Sequence, residues 1–154
     1  PNSTTKTMRF LSIDLGGKRT GLATGDDETG IVSPLDLIVT SNADERLRQL
    51  GKFIEAEQPD ALVLGMPFNM DGTLGPAAAK SVALAKTLTE RFGLPVHPMD
   101  ERLTSAAADD QMAQSGLTHG QKKARRDALA AANILRDFLE TRPDLGEGAE
   151  GSVN

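Results

Sequence analysis

Residues 61–65 read Ala61-Leu62-Val63-Leu64-Gly65, a short run without a single polar side chain. A strand with no polar face has to be covered on both sides, the situation of a parallel strand inside a layered α/β sheet. Residues 9–14 form a second short apolar run, and it ends in an acid, Asp14. Gly16-Gly17 then turns the chain into a strand near 20–24, and Gly30 turns it into another at 31–39, giving an antiparallel meander. Asn42, with Glu45 three residues later, caps a helix whose apolar stripe is Leu47, Leu50, Phe53 and Ile54, and Pro59 marks its end. A loop at 67–75 leads into a helix that runs to about Phe92 and is closed by Gly93. Residues 95–99 form a fifth strand, and helices follow at 104–115 and 121–141. Three meander strands, then two strands alternating with helices, imply an α/β fold: a mixed five-stranded sheet flanked by helices.

The chain of 154 residues suits one domain. We expect a tail at 1–7, a single domain over 8–141 and an acidic, disordered tail at 142–154, which is rich in Gly and has almost nothing to bury. No cysteine is present, so disulfides, thiol nucleophiles and thiolate-bound zinc are excluded. The longest uncharged apolar stretches fall far short of the ~20 residues that span a bilayer. The first eight residues carry one Lys and no apolar core, unlike a secretory signal. A soluble cytoplasmic protein with no membrane partner is the expectation. With neither Trp nor Tyr, an aromatic stacking platform for single strands is not expected.

The net charge of −5 is unevenly spread. Residues 137–154 hold five acids and one base, net −4, which leaves only −1 for the rest. Within that rest, Lys122, Lys123, Arg125 and Arg126 cluster beside Asp127. A local positive footprint decides phosphate binding more than total charge does, although a solvated helix face explains the cluster equally well.

Three acids carry the chemical argument. Asp14 stands where a buried strand meets a Gly-Gly turn, a place suited either to a metal ligand in a partly dry site or to a turn acid bonded to its own backbone. The string Asp-Glu-Arg-Leu occurs twice. At 44–47 it opens an amphipathic helix, where acids in the first turn favour the dipole, and that explanation suffices. At 100–103 it follows the fifth strand and precedes Thr104, so Asp100 and Glu101 fall at the carboxyl end of a parallel strand, where open α/β sheets bind ligands. Asp127 heads a helix stripe whose other members are Ala131, Ile134 and Phe138. An acid on a buried stripe needs a partner, either an Arg such as Arg102 or Arg126, or a cation shared with Asp14 and Glu101. The small alanines that follow allow this helix to approach the sheet closely.

Other chemistries fail on the residues. The Gly16…Gly21 turn lacks the Lys-Ser/Thr of a phosphate-binding loop, and G-x-S-x-G and H-E-x-x-H are absent. His97 and His119 are isolated. The carboxylates that remain are hard oxygen ligands for Mg²⁺ or Mn²⁺, and basic residues lie beside them. This set favours metal-assisted phosphoester cleavage.

Four segments, taken together, resemble the YqgF/RuvX family: Asp14-Leu15-Gly16-Gly17-Lys18-Arg19-Thr20-Gly21-Leu22-Ala23, Gly65-Met66-Pro67-Phe68-Asn69-Met70-Asp71-Gly72-Thr73, Asp100-Glu101-Arg102-Leu103-Thr104 and Asp127-Ala128-Leu129-Ala130-Ala131. The resemblance implies a ribonuclease H-like fold related to the RuvC Holliday-junction resolvases. It also implies a bacterial nuclease of 5′-end maturation of pre-16S ribosomal RNA, with ribosomal particles as possible partners and branched DNA as the alternative substrate. Carried onto this chain, the catalytic acids are Asp14, Glu101 and Asp127, with Asp100 able to replace or assist Glu101 in a two-metal Mg²⁺ or Mn²⁺ site. Lys18, Arg19, Arg102 and the cluster Lys122, Lys123, Arg125 and Arg126 are the candidate nucleic-acid contacts. Two departures from the family pattern stand out. Thr20 occupies the place of a branched aliphatic residue, and Gly25 that of a Ser. Two other readings remain open: a nucleotide-handling domain of the actin/sugar-kinase type, and a non-catalytic RNA- or ribosome-binding module.

Overall fold

The computed structural model describes residues 7–69, 71–100 and 119–141, and over 119–128 the helical backbone alone. Five strands form one sheet: β1 (Arg9–Leu15), β2 (Arg19–Asp26), β3 (Val32–Val39), β4 (Ala61–Met66) and β5 (Val96–Asp100). Three helices accompany them: α1 (Ala43–Glu57), α2 (Pro76–Phe92) and α3 (His119–Thr141). The spatial order is β3-β2-β1-β4-β5. β1 pairs antiparallel with β2 and β2 with β3, while β1–β4 and β4–β5 are parallel. The meander followed by two parallel strands is therefore as the residue pattern implied. The expected helix at 104–115, residues 1–6 of the expected tail at 1–7, and the expected tail at 142–154 lie outside the described residues.

Strand alternation separates two cores. On one face, Leu11, Ile13, Leu22, Ile38, Leu62, Leu64 and Met66 pack with Leu50 and Ile54 of α1 and Leu88 of α2. On the other, Phe10, Ala61 and Val63 pack with Ile134, Leu135 and Phe138 of α3. All six residues of β4 are buried, as an apolar strand with helices on both sides must be. Where α3 packs on β2 the side chains are small, with Ala23 fully buried against Ala131 and Ala132.

Local chemistry sets the helix ends. Asn42 caps α1, its side chain accepting from the Glu45 amide at 2.8 Å. Pro76 opens α2 at a position where a missing N–H costs nothing, and Gly93 ends it with φ +68°.

Among the described residues, no helix is long and apolar enough to cross a membrane.

Candidate nucleic-acid processing site

The carboxyl ends of β1, β4 and β5 share one edge of the sheet, and Asp14 is placed there by β1. Leu11 and Ile13 face the α1/α2 core, so Phe10, Ser12 and Asp14 face α3 by alternation. Asp14 is partly buried, paired across β2 with Gly21. The Gly16-Gly17 turn follows at once. A Cβ on Gly16 would lie 2.3 Å from the Arg19 carbonyl oxygen, so only glycine allows so tight a return. Arg19 opens β2 opposite Val39, one residue before Thr20. Thr20 is buried with the α1/α2 core, so alternation turns Arg19 to the Asp14 side. Lys18, in the turn itself, is exposed.

Helix α3 runs against β1 in the opposite direction, and two contacts set its register. The Phe138 ring meets Phe10 edge-on at 5.4 Å between centroids. Seven residues back along α3, the Ala131 carbonyl accepts a buried hydrogen bond of 2.6 Å from the Ser12 hydroxyl, two residues further along β1. One more helical turn, about 6 Å of rise, leads from residue 131 back to residue 127. Two more strand residues, about 6.7 Å, lead from Ser12 to Asp14. The turn of α3 carrying residue 127 thus comes to the end of β1 that carries Asp14. Ala131, Ile134 and Phe138 are buried, as expected for the stripe that Asp127 heads. The side chains of Asp127 and of Lys122, Lys123, Arg125 and Arg126 lie outside the described residues.

The fifth strand fixes the face on which Asp100 stands. Met99 pairs with Gly65 and packs with Phe10 and Phe138, whereas Asp100 pairs with Met66 of the opposite core. Asp100 therefore leaves the sheet on the α1/α2 side, away from Asp14. Glu101 and Arg102 lie outside the described residues. Among the described residues, no three Asp, Glu or His side chains converge in a way that could hold a metal ion. The half-buried His97 ring lies tilted against Phe138, centroids 5.2 Å apart, on the α3 side of the sheet.

The loop after β4 is tied by its own polar groups. Asn69 donates from its backbone to the Thr73 carbonyl at 2.9 Å and from Nδ2 to the Thr73 hydroxyl at 2.9 Å. The Thr73 amide and hydroxyl both donate to Asp71 Oδ1, at 3.0 and 2.6 Å.

Two residues that the sequence reading passed over belong to this edge. Ser12 bonds β1 to α3, and its signal is a lone hydroxyl inside an apolar run. Arg46, in the Asp-Glu-Arg-Leu copy explained only by acids favouring the helix dipole, donates to the carbonyls of Gly17 at 3.0 Å and Thr40 at 3.2 Å.

A five-stranded mixed sheet of this order, with helices on both faces, is a ribonuclease H-like fold. Solved structures share the architecture. Fowlpox virus resolvase bound to Holliday-junction DNA superposes with TM-score 0.59 at 13% identity, covering 89% of this chain and 100% of that one. RuvC of T. thermophilus with a Holliday-junction substrate gives TM-score 0.53 at 17% identity, covering 88% and 95%. The family model described as "RuvX: Holliday junction resolvase" matches residues 8–141, and the chain belongs to that family. Among its relatives, a protein of Lactobacillus helveticus named "Putative pre-16S rRNA nuclease" is 39% identical over 140 residues, covering 86% of this chain and 96% of that protein. A protein of the same name in Thiobacillus denitrificans is 41% identical over 133 residues, covering 86% and 91%.

Proposed function

We propose that this protein is a nuclease that hydrolyses phosphodiester bonds in the 5′-end maturation of pre-16S ribosomal RNA. The observation that carries the reading is the pair of contacts Phe10–Phe138 and Ser12–Ala131, whose register directs the residue-127 turn of α3 toward the end of β1 that carries Asp14. It gives an acid on a helix stripe a reason to be there. Family membership over residues 8–141 supports the same chemistry.

The acids assigned to the site are Asp14, Glu101 and Asp127. Asp100 departs from the other face of the sheet, which favours Glu101 as the acid of that pair. Carboxylate oxygens are hard donors that fit Mg²⁺ or Mn²⁺, and Asp14, Glu101 and Asp127 are the residues to hold them. When bound, such ions neutralise phosphate charge and lower the pKa of the attacking water. The protein's own part is positional. β1 holds Asp14 against the sheet edge, and the Gly16 turn returns the chain so that Lys18 and Arg19 follow within five residues. Those cations, with Arg102 and the Lys122–Arg126 cluster, are assigned to the phosphates of the substrate. Nucleic acid is the partner, with a ribosomal precursor particle as its natural setting, and a cytoplasmic location belongs with this reading.

The test compares wild type with Asp14→Asn and Asp127→Asn on labelled precursor rRNA, single-stranded RNA and a four-way DNA junction, with Mg²⁺ or Mn²⁺. The expected result is cleavage of the rRNA precursor by wild type alone. Cleavage by both variants at the wild-type rate would remove the site, and cleavage confined to the junction would move the activity to DNA.

A further inference from the structure

The first Asp-Glu-Arg-Leu copy has more to do than open an amphipathic helix. Arg46 lies in the first turn of α1, yet its guanidinium reaches back to two backbone carbonyls on different connections. One NH2 group donates to Gly17, in the turn directly after Asp14, at 3.0 Å, and to Thr40, between β3 and α1, at 3.2 Å. The same two connections are joined once more by the Thr40 amide donating to the Lys18 carbonyl at 2.8 Å. Among the described residues, the buried Arg46 Nε has no partner and no carboxylate pairs with this side chain. Its neighbour Glu45 is already engaged by Arg48 and Gln49. A guanidinium set on carbonyls rather than on an acid keeps its full positive charge beneath the turn that presents Lys18 and Arg19.

We infer that Arg46 is a positioning residue of the nucleic-acid site: it fixes the Gly16–Lys18 turn so that Lys18 and Arg19 meet substrate phosphates beside Asp14. The inference rests on the nuclease reading for its substrate, while the tie itself can be measured without one. Lysine at this position keeps the charge but cannot reach two carbonyls from one planar group.

The experiment uses the full chain as wild type, Arg46→Lys, Lys18→Ala and the double variant, with Arg46→Met as a charge-free comparison and thermal melting of each. Amide hydrogen exchange is followed without nucleic acid, and binding of a labelled single-stranded RNA from the precursor 5′ end is followed in EDTA. In Arg46→Lys the Thr40 amide should exchange at least about tenfold faster while amides of β1 and β4 keep their protection, because its acceptor turn is released. RNA affinity should fall about tenfold in Arg46→Lys, the scale of one charge-assisted hydrogen bond. Against the Lys18→Ala background the same change should cost less than about twofold, since the residue acts through that turn. Unchanged Thr40 exchange would overturn the inference, as would an Arg46→Lys effect that multiplies fully with Lys18→Ala. Should wild type fail to bind or cleave any RNA while Thr40 exchange still rises, the nuclease reading falls and the tie stands.

Discussion

At Gly16 the chain has no room for a side chain, since a Cβ would meet the Arg19 carbonyl oxygen at 2.3 Å. Backbone must move to admit one, and the backbone concerned joins Asp14 to Lys18 and Arg19. Gly16→Ala is therefore expected to cut cleavage by more than tenfold and lower the melting temperature together, measured by an initial-rate assay and a thermal scan. Thr20 points the other way. It is fully buried in the α1/α2 core, opposite Leu15 and Ile38, and its hydroxyl has no hydrogen-bond partner among the described residues. A buried hydroxyl without a partner costs about 1–3 kcal/mol of desolvation. Thr20→Val keeps the shape and removes that cost, so we expect stabilisation of about 1 kcal/mol, read as a rise of roughly 3 °C in melting temperature with cleavage unchanged. The departure from the family pattern at this position thus concerns stability, a distinction that needs the burial and the missing partner to be seen.

Elements come next, and the joint between α3 and the sheet governs them. Gly25 stands in β2 where a Cβ would press on the Ile31 carbonyl oxygen at 2.9 Å and on Leu135 Cδ2 and Val32 Cγ2 at 3.1 Å each. Restoring the family's usual Ser at this position should cost about 1–3 kcal/mol by overpacking, measured by denaturant titration. The absence of a side chain at 25 and the small residues Ala23, Ala131 and Ala132 are parts of one close approach. Helix α1 provides a pH test. The Arg48 guanidinium, then the Gln49 amide, holds Glu45 down to a pKa of about 2. A depressed acid contributes stability that is fully present above its ordinary value of 4.5 and is lost as pH falls toward 2. Glu45→Gln should accordingly flatten the acid limb of the stability curve between those values and leave the neutral plateau nearly level, because the pair is exposed to solvent. Urea melts at a series of pH values decide it; an unaltered acid limb would show that Arg48 and Gln49 do not hold the carboxylate in solution.

For the whole molecule, the expectation concerns divalent ions. Mg²⁺ or Mn²⁺ should raise the melting temperature of wild type, because an ion bound only by the folded state stabilises it by mass action. Asp14→Asn should abolish that rise together with cleavage, and EDTA should silence wild type. Equal stabilisation of both proteins would place the ions elsewhere. At this scale the residues by themselves determined the element order and the class of fold. Apolar runs at 9–14 and 61–65, the glycine turns and the Asn42 cap are local signals, and each element they marked is present within a residue or two. They also determined which acids to suspect, since a carboxylate at a strand end or on a buried stripe is conspicuous in one dimension. Tertiary structure decided what no periodicity encodes. It set Asp14 and Asp100 on opposite faces, because register across β1, β4 and β5 assigns faces pair by pair. It directed the residue-127 turn of α3 toward the Asp14 end of β1 through contacts made more than a hundred residues apart. It also carried the Arg46 side chain from the first turn of α1 to the Gly17 turn, because a long side chain bonds whatever carbonyl the packing of two separate connections brings within its reach.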